Sequence, residues 1–398
     1  MAEENTASTT EKPKVALLND PKFRSYIFQG LLLAVIVWFF WGLASNAAHN
    51  LAKAGIAQGF GFLDKSAGFG INFSPFIDYV ETSSYGTVFW VGLQNTLLIA
   101  VIGIILATIL GFTVGVARLS SNWVVAKVAT VYVEALRNVP LLLQILIWYK
   151  GVGALLPSVK NTVDMGAFGQ LNTKAWFAPK VVLADGAGLV FGAFVAACVI
   201  TYFINRWATR RQMLTGQTFP VFLTAIALMV LLPLITYFLK GQPMSLEYAT
   251  LGRFGPKGGA RVIPELMAML VALTTYTAAF IAEIVRAGIL AVPAGQSEAS
   301  AALGLQRGQA LRLVVIPQAM RVIIPPLTSQ YLNLTKNSSL AVAIAYPDLM
   351  AVFGGTALNQ TGQAVEILSM TMLTYLAISL VTAMFMNWYN SRMTLVER

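Results

Sequence analysis

The sequence predicts an all-α polytopic membrane protein, a helical bundle with about eight transmembrane helices. Two properties of its composition support this fold class: 57% of the 398 residues are hydrophobic and only 11% are charged, whereas soluble domains carry about 25% charged residues. The mean hydropathy is +0.69. A third observation is that long apolar segments, each near or above the ~20 residues needed to cross a bilayer, recur along the chain.

Taken in order, the chain begins with a polar segment, 1–21, that predicts a cytosolic tail. The first apolar segment is longer than the roughly 7–15-residue core of a signal peptide, so we expect a membrane span rather than a cleaved leader. An even number of spans places both termini on one side. The predicted spans are 26–44, 89–116, 124–149, 181–204, 219–239, 263–285, 322–345 and 365–388.

The positive charges predict which side is cytosolic. The formal net charge of +10 comes from basic residues scattered among loops next to apolar spans, which indicates membrane orientation rather than nucleic-acid binding. Arginines on the side of the termini, including the 206–211 cluster, outnumber Arg253 and Arg261 on the other side. Both termini are therefore expected in the cytosol, and 151–180 and 240–261 in the periplasm.

Several kinds of catalytic site are excluded by the residue inventory. One cysteine, Cys198, cannot form an intrachain disulfide. The single histidine, His49, is placed in the loop after the first span and has no second His or Cys nearby, so no metal site is expected. The sequence contains no Gly-x-x-x-x-Gly-Lys-Ser/Thr phosphate loop and no Ser–His arrangement. We therefore expect no enzyme activity in this chain, and any ATP hydrolysis must occur in a separate subunit.

The polar segment at 295–317 lies between two apolar spans. Its alanines favour a helix, Gly295 and Ser297 are cap candidates ahead of Glu298, and Gly304 is expected to end the helix. A second short helical piece, which begins near Arg307, leads into the next span. The pattern predicts two short helices at an angle, outside the bilayer, that dock with a soluble partner.

This segment resembles the EAA coupling motif of permease subunits in binding-protein-dependent ABC importers. In that family the loop lies in a groove of the ATPase subunit, so the resemblance implies an ATPase dimer as partner, which binds the ATP and Mg²⁺. An ordinary amphipathic connector is the alternative. The motif positions are held by Glu298, Ala299, Ser300, Gly304, Val314, Ile316 and Pro317, and Arg307 lies on the same loop.

Three further stretches are similar to the polar amino-acid permease family: GLQNTL at 92–97, LRNVPLLL at 136–143 and AEIVRAGI at 282–289. The chain most resembles the large permeases of proteobacterial general L-amino-acid transporters. The resemblance implies a type I ABC importer permease in the bacterial inner membrane, a second permease that is a copy or a homologue, and a periplasmic amino-acid-binding protein.

The same resemblance divides the chain. Residues 89–398 correspond to the permease transmembrane domain, with the coupling loop at 293–317. Two portions have no counterpart in the minimal family core. They are 22–88, with the extra first helix and its periplasmic loop, and 150–262, an insertion that carries two extra helices at 181–239.

Two charged pairs lie at helical spacing. Glu283 and Arg286 are three residues apart, as are Glu134 and Arg137, so each pair can meet on one helix face. The Glu283–Arg286 pair is predicted to be a structural ion pair that orients the coupling loop. Glu134–Arg137 lies further inside a span, where a charge costs about 3 kcal/mol, and is either a stabilising pair or part of the wall of a substrate path.

A polar run at 335–339 interrupts an apolar span and is expected near the middle of the bilayer. Such a run is costly unless it faces a wet cavity or partners within the bundle. An amino acid needs a donor for its carboxylate and acceptors for its amine. The candidates are Lys336, Asn337, Ser338 and Ser339, with Thr274, Thr275 and Tyr276 of the sixth span as the facing wall.

In the alternative interpretation of this run, Lys336 only caps the backbone carbonyls of a broken helix. Many members of the family that the segment resembles have Asp where this chain has Asn337. The missing negative charge puts a preference for cationic amino acids in doubt and fits a broad or acid-tolerant range.

The leading interpretation is a transmembrane subunit of an ATP-driven, binding-protein-dependent importer of L-amino acids. The alternative is an ion-coupled secondary amino-acid transporter, which needs titratable or ion-binding groups at the midplane. Glu134 and Lys336 are its only clear candidates. A membrane scaffold without transport activity would leave the intramembrane polar groups unexplained.

Overall fold

The computed structural model describes residues 21–53, 55, 59–252 and 255–393. Except for Pro21, the predicted tail at 1–21 lies outside them. Over this part of the chain the fold is mostly helical. It has seven helices long and apolar enough to cross a membrane, or eight if one bent pair counts as a single span. These spans confirm the predicted fold class.

The helices connect in chain order, and the described residues between α4 and α7 include eight short strands. The helices are α1 (Pro21–Lys53), α2 (Tyr85–Ala117), α3 (Trp123–Asn138), α4 (Leu141–Leu155), α5 (Ala187–Thr215), α6 (Val221–Leu239), α7 (Pro264–Leu290), α8 (Ala294–Ala302), α9 (Arg307–Ala310), α10 (Ile316–Asn337), α11 (Leu358–Thr361) and α12 (Ala364–Met393). The strands are β1 (Val163–Asp164), β2 (Gln170–Asn172), β3 (Ala175–Ala178), β4 (Lys180–Leu183), β5 (Met244–Glu247), β6 (Thr250–Gly252), β7 (Gly255–Lys257) and β8 (Ala260–Val262).

Helix α7 forms the centre of the bundle, where it packs against α2, α3, α4 and α10. Its side chains at Met269 and Ile281 are fully buried. The closest neighbour is α2: a Cβ at Gly111 would lie 2.6 Å from Cβ of Ile281, and one at Gly115 would lie 2.8 Å from the Ala282 carbonyl oxygen. Small residues let membrane helices approach this closely.

The span predicted at 124–149 is not one straight helix. The structure breaks it into α3 and α4, whose axes are bent by 109°. Pro140 is the physical reason, because it has no N–H to donate and forces the preceding Val139 into an extended conformation. The buried Gln144 side chain then donates to the carbonyls of Leu136 at 2.7 Å and Val139 at 2.9 Å, which the break leaves free.

The region between α4 and α7 differs most from the prediction. Four strands form an antiparallel sheet in the order β1-β2-β3-β8, and β4 pairs with β5. The span expected to start at residue 181 therefore starts later, because 181–183 pair as a strand and α5 begins at Ala187. The two extra helices, α5 and α6, pack against each other.

Helix α1 contains the predicted first span, and its described side chains are exposed rather than packed on the bundle. It continues beyond the expected end at residue 44 to Lys53 and includes His49, which the sequence placed in a loop.

The seventh span is longer than the predicted 322–345. A continuous helical path runs from Gly308 to Ile344. It begins with α9, continues through a π-helical turn, Leu311–Val315, and α10, and ends in a 3₁₀ segment, Ser338–Ile344. Pro325 and Pro326 lie inside α10 and do not end it, as membrane helices allow when neighbouring helices pack around the freed carbonyls.

Candidate functional site

The candidate docking segment is the short helix α8, which follows α7. Its N-cap is Pro293 rather than either predicted candidate, since Gly295 and Ser297 both lie inside the helix. At the other end the prediction is confirmed: Gly304 has φ +75° and ends the helix. Leu305 N–H donates to the Ser300 carbonyl at 3.1 Å and Gly304 N–H to the Ala301 carbonyl at 2.9 Å, which is the Schellman arrangement.

The surface of α8 carries both charged and apolar groups. Glu298 and Ala299 are exposed, whereas Ser300 is buried and donates to the Gln296 carbonyl at 2.6 Å. Just beyond the helix, Leu303 is 81% exposed. A single exposed leucine is common on protein surfaces, so Leu303 is a contact candidate only because it lies on the predicted docking loop. The side chain of Arg307 lies outside the described part of the structure.

The second half of the loop differs from the predicted separate short helix. Helix α9 continues without a break into the π turn and α10, so only α8 stands as an independent short helix. Gln318 Nε2 on α10 donates to Gln296 Oε1 on α8 at 3.1 Å. This bond ties α8 to α10, so movement of the long helix would carry the loop with it.

Above the loop, one carboxylate joins three arginines. Arg286 Nη2 donates to Glu283 Oε1 at 2.7 Å, so the predicted pair forms. Arg118, whose side chain is only 8% exposed, donates to Glu283 Oε2, and Arg137 Nη1 lies 3.9 Å from the same oxygen. The three arginines come from α7, α2 and α3, so Glu283 links these helices where α7 approaches the loop.

The predicted Glu134–Arg137 pair is wrong. Across the described residues, Glu134 has its nearest cation in Arg118, at 4.0 Å, and Arg137 instead meets Glu283. The guanidinium of Arg137 also lies over the Phe280 ring, 5.2 Å from its centroid. The contact between α3 and α7 provides a better partner for Arg137 than the neighbouring turn of its own helix.

The predicted substrate segment lies level with the middle of α2. A Cβ at Gly103, near the centre of that helix, would lie 3.2 Å from Cδ2 of Leu334. Ser338 is buried and donates to the Thr335 carbonyl, and Ser339 donates to the Lys336 carbonyl, both at 2.7 Å. The Ser338 hydroxyl is therefore used inside the bundle, whereas Ser339, which is partly exposed, keeps acceptor capacity for a ligand.

Lys336 and Asn337 behave differently from the serines. Lys336 is exposed and Asn337 is partly exposed. In the described part of the chain, neither side chain has a hydrogen-bonding or ionic partner. The geometry thus gives no support to the alternative in which Lys336 caps backbone carbonyls. Both groups are available to a ligand or to a partner subunit.

The facing wall lies on α7, which packs against α10. The Thr274 hydroxyl is buried with no hydrogen-bond partner among the described groups. Thr275 donates to the Val271 carbonyl at 2.7 Å, its own carbonyl accepts from Tyr132, and Tyr276 packs against Phe280. The structure places the two predicted groups on neighbouring helices, and no hydrogen bond joins them in the part described.

A buried polar cluster next to this path was not predicted. Asp348 is fully buried; its Oδ1 accepts from Ala351 N–H at 2.8 Å, and its Oδ2 accepts from the Tyr375 hydroxyl at 3.1 Å. Leu349 N–H donates to the Thr96 hydroxyl at 3.0 Å. The carboxylate thus caps the π-helical segment Met350–Ala357 and ties it to α12.

A sequence signal for this cluster did exist. Asp348 follows Pro347 and precedes an apolar helix-forming run, as an N-cap residue does. Its partner Thr96 belongs to the GLQNTL stretch at 92–97, which the sequence singled out only as a family resemblance.

The chain is similar to known transport proteins. Residues 188–395 match the family described as binding-protein-dependent transport system inner membrane component. The chain is 51% identical to the general L-amino acid transport system permease protein AapQ of Rhizobium johnstonii, over 95% of this chain and 94% of the relative. It is 41% identical to the glutamate/glutamine/aspartate/asparagine transport system permease protein BztB of Rhodobacter capsulatus, over 96% of both chains.

A solved structure is more distant. The crystal structure of an amino acid ABC transporter with histidines is 20% identical, covers 77% of this chain and 95% of its own, and gives a TM-score of 0.45.

Proposed function

Because the chain belongs to the family of binding-protein-dependent transport system inner membrane components and is the permease subunit of an amino-acid ABC importer, we propose that it lines the path of L-amino acids and that α8 couples this path to ATP hydrolysis. The chain is a multi-pass inner membrane protein and is not itself catalytic. Its importer includes an ATPase and a binding protein.

The observation that carries the coupling proposal is the structure of the loop at 293–317, called the α8 loop below. Exposed Glu298 and Leu303 flank a helix end fixed by Gly304. This helix is tied to α10 through Gln296 and follows α7 directly. A soluble ATPase that contacts Glu298, Ala299 and the Gly304 turn would therefore act on two helices of the bundle. The ATPase dimer would hold the ATP and Mg²⁺.

For the path itself, we propose that Lys336 and Asn337 are the groups that meet substrate. They are accessible and lack protein partners in the described chain, at the level of the middle of α2. Ser338, Ser339 and the unpaired Thr274 hydroxyl would supply weaker polar contacts, with Thr275 and Tyr276 beside it. The names of the two relatives support a broad L-amino-acid range that includes acidic side chains.

Orientation and the second permease also belong to this proposal. The arginine distribution supports cytosolic termini and a cytosolic α8 loop. Exposed apolar surface along α1 and α6 leaves room for a second permease, most simply a homologue, or for lipid. In a Cys198→Ser background, an impermeant thiol reagent added from outside should label Ser158→Cys and Ser245→Cys but not Thr209→Cys. If the reagent labels only Thr209→Cys, the orientation of the chain in the membrane is the opposite of the proposed one.

Transport in proteoliposomes tests the proposed function. The intact complex with its binding protein should accumulate labelled amino acids only with internal ATP, and uptake should survive collapse of proton and sodium gradients. Uptake that follows the gradients and ignores ATP would instead support an ion-coupled transporter.

A further inference from the structure

Helices α5 and α6 form a hairpin that stands apart from the bundle. Among the described elements, they pack closely only against each other. Both are long and apolar enough to span a membrane, and none of the α6 side chains is buried. Lipid therefore has access to most of the hairpin surface, and each end of the hairpin meets a headgroup layer.

At one end of this hairpin, residues 202–220, all the charged side chains are arginines; we call it the arginine end. Arg206, Arg210 and Arg211 lie near the end of α5, and no aspartate or glutamate occurs in 186–246. In the described chain, none of the three forms an ion pair. Arg206 and Arg210 are four residues apart on one helix face, so their like charges repel. An anion between them would remove this repulsion.

Aromatic contacts hold two of these guanidinium groups in place. The guanidinium carbon of Arg206 lies 5.2 Å from the centroid of the Tyr202 ring, and that of Arg211 lies 5.4 Å from the centroid of the Trp207 ring. Arg211 Nη2 also donates to Gln217 Oε1 at 2.6 Å. Stacking uses the flat face of a guanidinium and leaves the N–H groups at its edge able to donate. The donors are thus positioned before a ligand binds.

The same aromatic side chains indicate the level of the arginine end in the membrane. Tyr and Trp are enriched at the boundary between acyl chains and headgroups. Trp207 packs edge-on against Phe219, with ring centroids 5.4 Å apart, so the residue just before α6 lies level with Trp207. Arg206 is next to Trp207, and Arg210 lies about one helical turn further along α5. Both are exposed, at the depth where the phosphate groups of lipids lie.

The opposite end of the hairpin carries both signs of charge. Cβ of Lys240 lies 3.5 Å from the position of a Cβ at Gly186, which follows Asp185 in the chain. The side chains of Asp185 and Lys240 are both exposed. A carboxylate near the lysine weakens the field that would attract an anion. The arginine end is therefore the better anion site, and Lys240 provides a matched control.

We propose that the arginine end binds the phosphate group of an anionic phospholipid, with Arg206 and Arg210 as the main donors and Arg211 beside them. Guanidinium groups bind phosphate through paired N–H donors. A headgroup with net negative charge is favoured over a zwitterionic one, because this end has three cations and no carboxylate to receive an ammonium group. The site lies apart from the substrate path and the α8 loop, so it does not depend on the proposed function.

The test uses the complete importer in phosphatidylcholine vesicles that contain a small fraction of photoactivatable phosphatidylglycerol or, in parallel, of photoactivatable phosphatidylcholine. Mass spectrometry measures how much of each lipid attaches to residues 200–220 after illumination. Wild type should attach phosphatidylglycerol in preference. Arg206→Gln and Arg210→Gln should each lower this preference by about fivefold, as expected for one cation beside an anionic lipid. Lys240→Gln removes one positive charge from the other end of the hairpin and should leave the preference unchanged.

Equal attachment of the two lipids in wild type would overturn the proposal, and this comparison decides even if a variant fails to assemble. An equal loss of preference in Lys240→Gln would also overturn it, since the effect would then come from net charge alone.

Two further measurements separate other anions from a lipid. Excess inorganic phosphate should not reduce attachment below that in sodium chloride of the same ionic strength; if it does, the site binds free phosphate and the lipid assignment is wrong. If the arginine variants keep the lipid preference but lose the ATPase subunit during purification, the arginines contact an acidic protein surface instead. Retention of the ATPase together with loss of the preference supports the lipid site.

Discussion

Arg118, at the end of α2, donates to the carboxylate of Glu283 on α7, the helix that leads into the α8 loop. Two further arginines meet the same carboxylate, Arg286 at 2.7 Å and Arg137 at 3.9 Å. Without the charge of Glu283, these three cations would repel one another where α2, α3 and α7 meet. The carboxylate therefore holds together the part of the bundle nearest the loop.

Glu283→Gln should destabilise the complex by about 2 kcal/mol, which is less than the 3–5 kcal/mol of a fully buried pair because the side chain is partly exposed. Glu134→Gln is the matched control, since its side chain is 58% exposed and lies 4.0 Å from Arg118. It should cost less than about 1 kcal/mol. Thermal unfolding of the purified complex measures both, and equal effects would contradict a central role for Glu283.

The close contact between α2 and α7 predicts a second difference between variants. Gly111→Ala places a Cβ 2.6 Å from Cβ of Ile281, and neither backbone can yield without moving the bundle core. We expect a loss of about 1–3 kcal/mol, as for other overpacked cores. Gly192→Ala on α5 meets nothing within 4 Å and should be neutral or stabilising. Urea or thermal unfolding measures the stability of both variants. Equal stability would mean that α2 moves away from α7 without cost and makes room for the added Cβ.

The sequence predicts the number and type of spans well, because apolar length is a local property. It misses features that depend on contacts between distant segments. Residues 181–183 are apolar enough for a span but pair with β5, and the partner of Arg137 lies on α7 rather than one turn away. The break at Pro140 was also missed, although the proline is visible in the sequence, because one proline does not determine that the chain turns there by 109°.

In the site, too, local features could be predicted, and contacts between distant segments could not. The Gly304 turn could be predicted because one residue determines a left-handed helix end. Asp348 and Tyr375 lie 27 residues apart and meet only when α12 packs beside the π-helical segment, so neither was predicted as part of the site.

Two of the glycines in the α8 loop, Gly304 and Gly308, differ in conformation but not in contacts. A Cβ at Gly304 or at Gly308 would meet nothing within 4 Å, yet only Gly304 has a positive φ. Gly304→Ala should cost about 1–2 kcal/mol of backbone strain and displace the end of α8, so that ATP hydrolysis no longer drives uptake. Gly308→Ala should transport normally. ATPase and uptake assays on the same proteoliposomes separate the two, and normal coupling in Gly304→Ala would contradict docking through this turn.

Asn337 offers a test of substrate selection. Its side chain is partly exposed and has no partner in the described structure, next to the accessible cation Lys336. Asn337→Asp adds a negative charge with almost no change of shape. A carboxylate within about 5 Å of a substrate side chain repels glutamate and attracts arginine by 1 kcal/mol or more at the intermediate polarity of a wet path.

We therefore expect Asn337→Asp to lower the ratio of glutamate to arginine uptake by about thirtyfold, because about 1 kcal/mol lost for glutamate and about 1 kcal/mol gained for arginine add in the ratio, while ATP-dependent coupling persists. Asn333→Asp is the matched control, because it adds the same charge one turn earlier on α10, at an exposed position. Competition between the two labelled amino acids in proteoliposomes measures the ratio directly. If both variants assemble and keep the wild-type ratio, this segment does not select the substrate. A path between two permeases has two walls, and only one of them would then discriminate between amino acids. The corresponding segment of the second permease would be the next site to mutate.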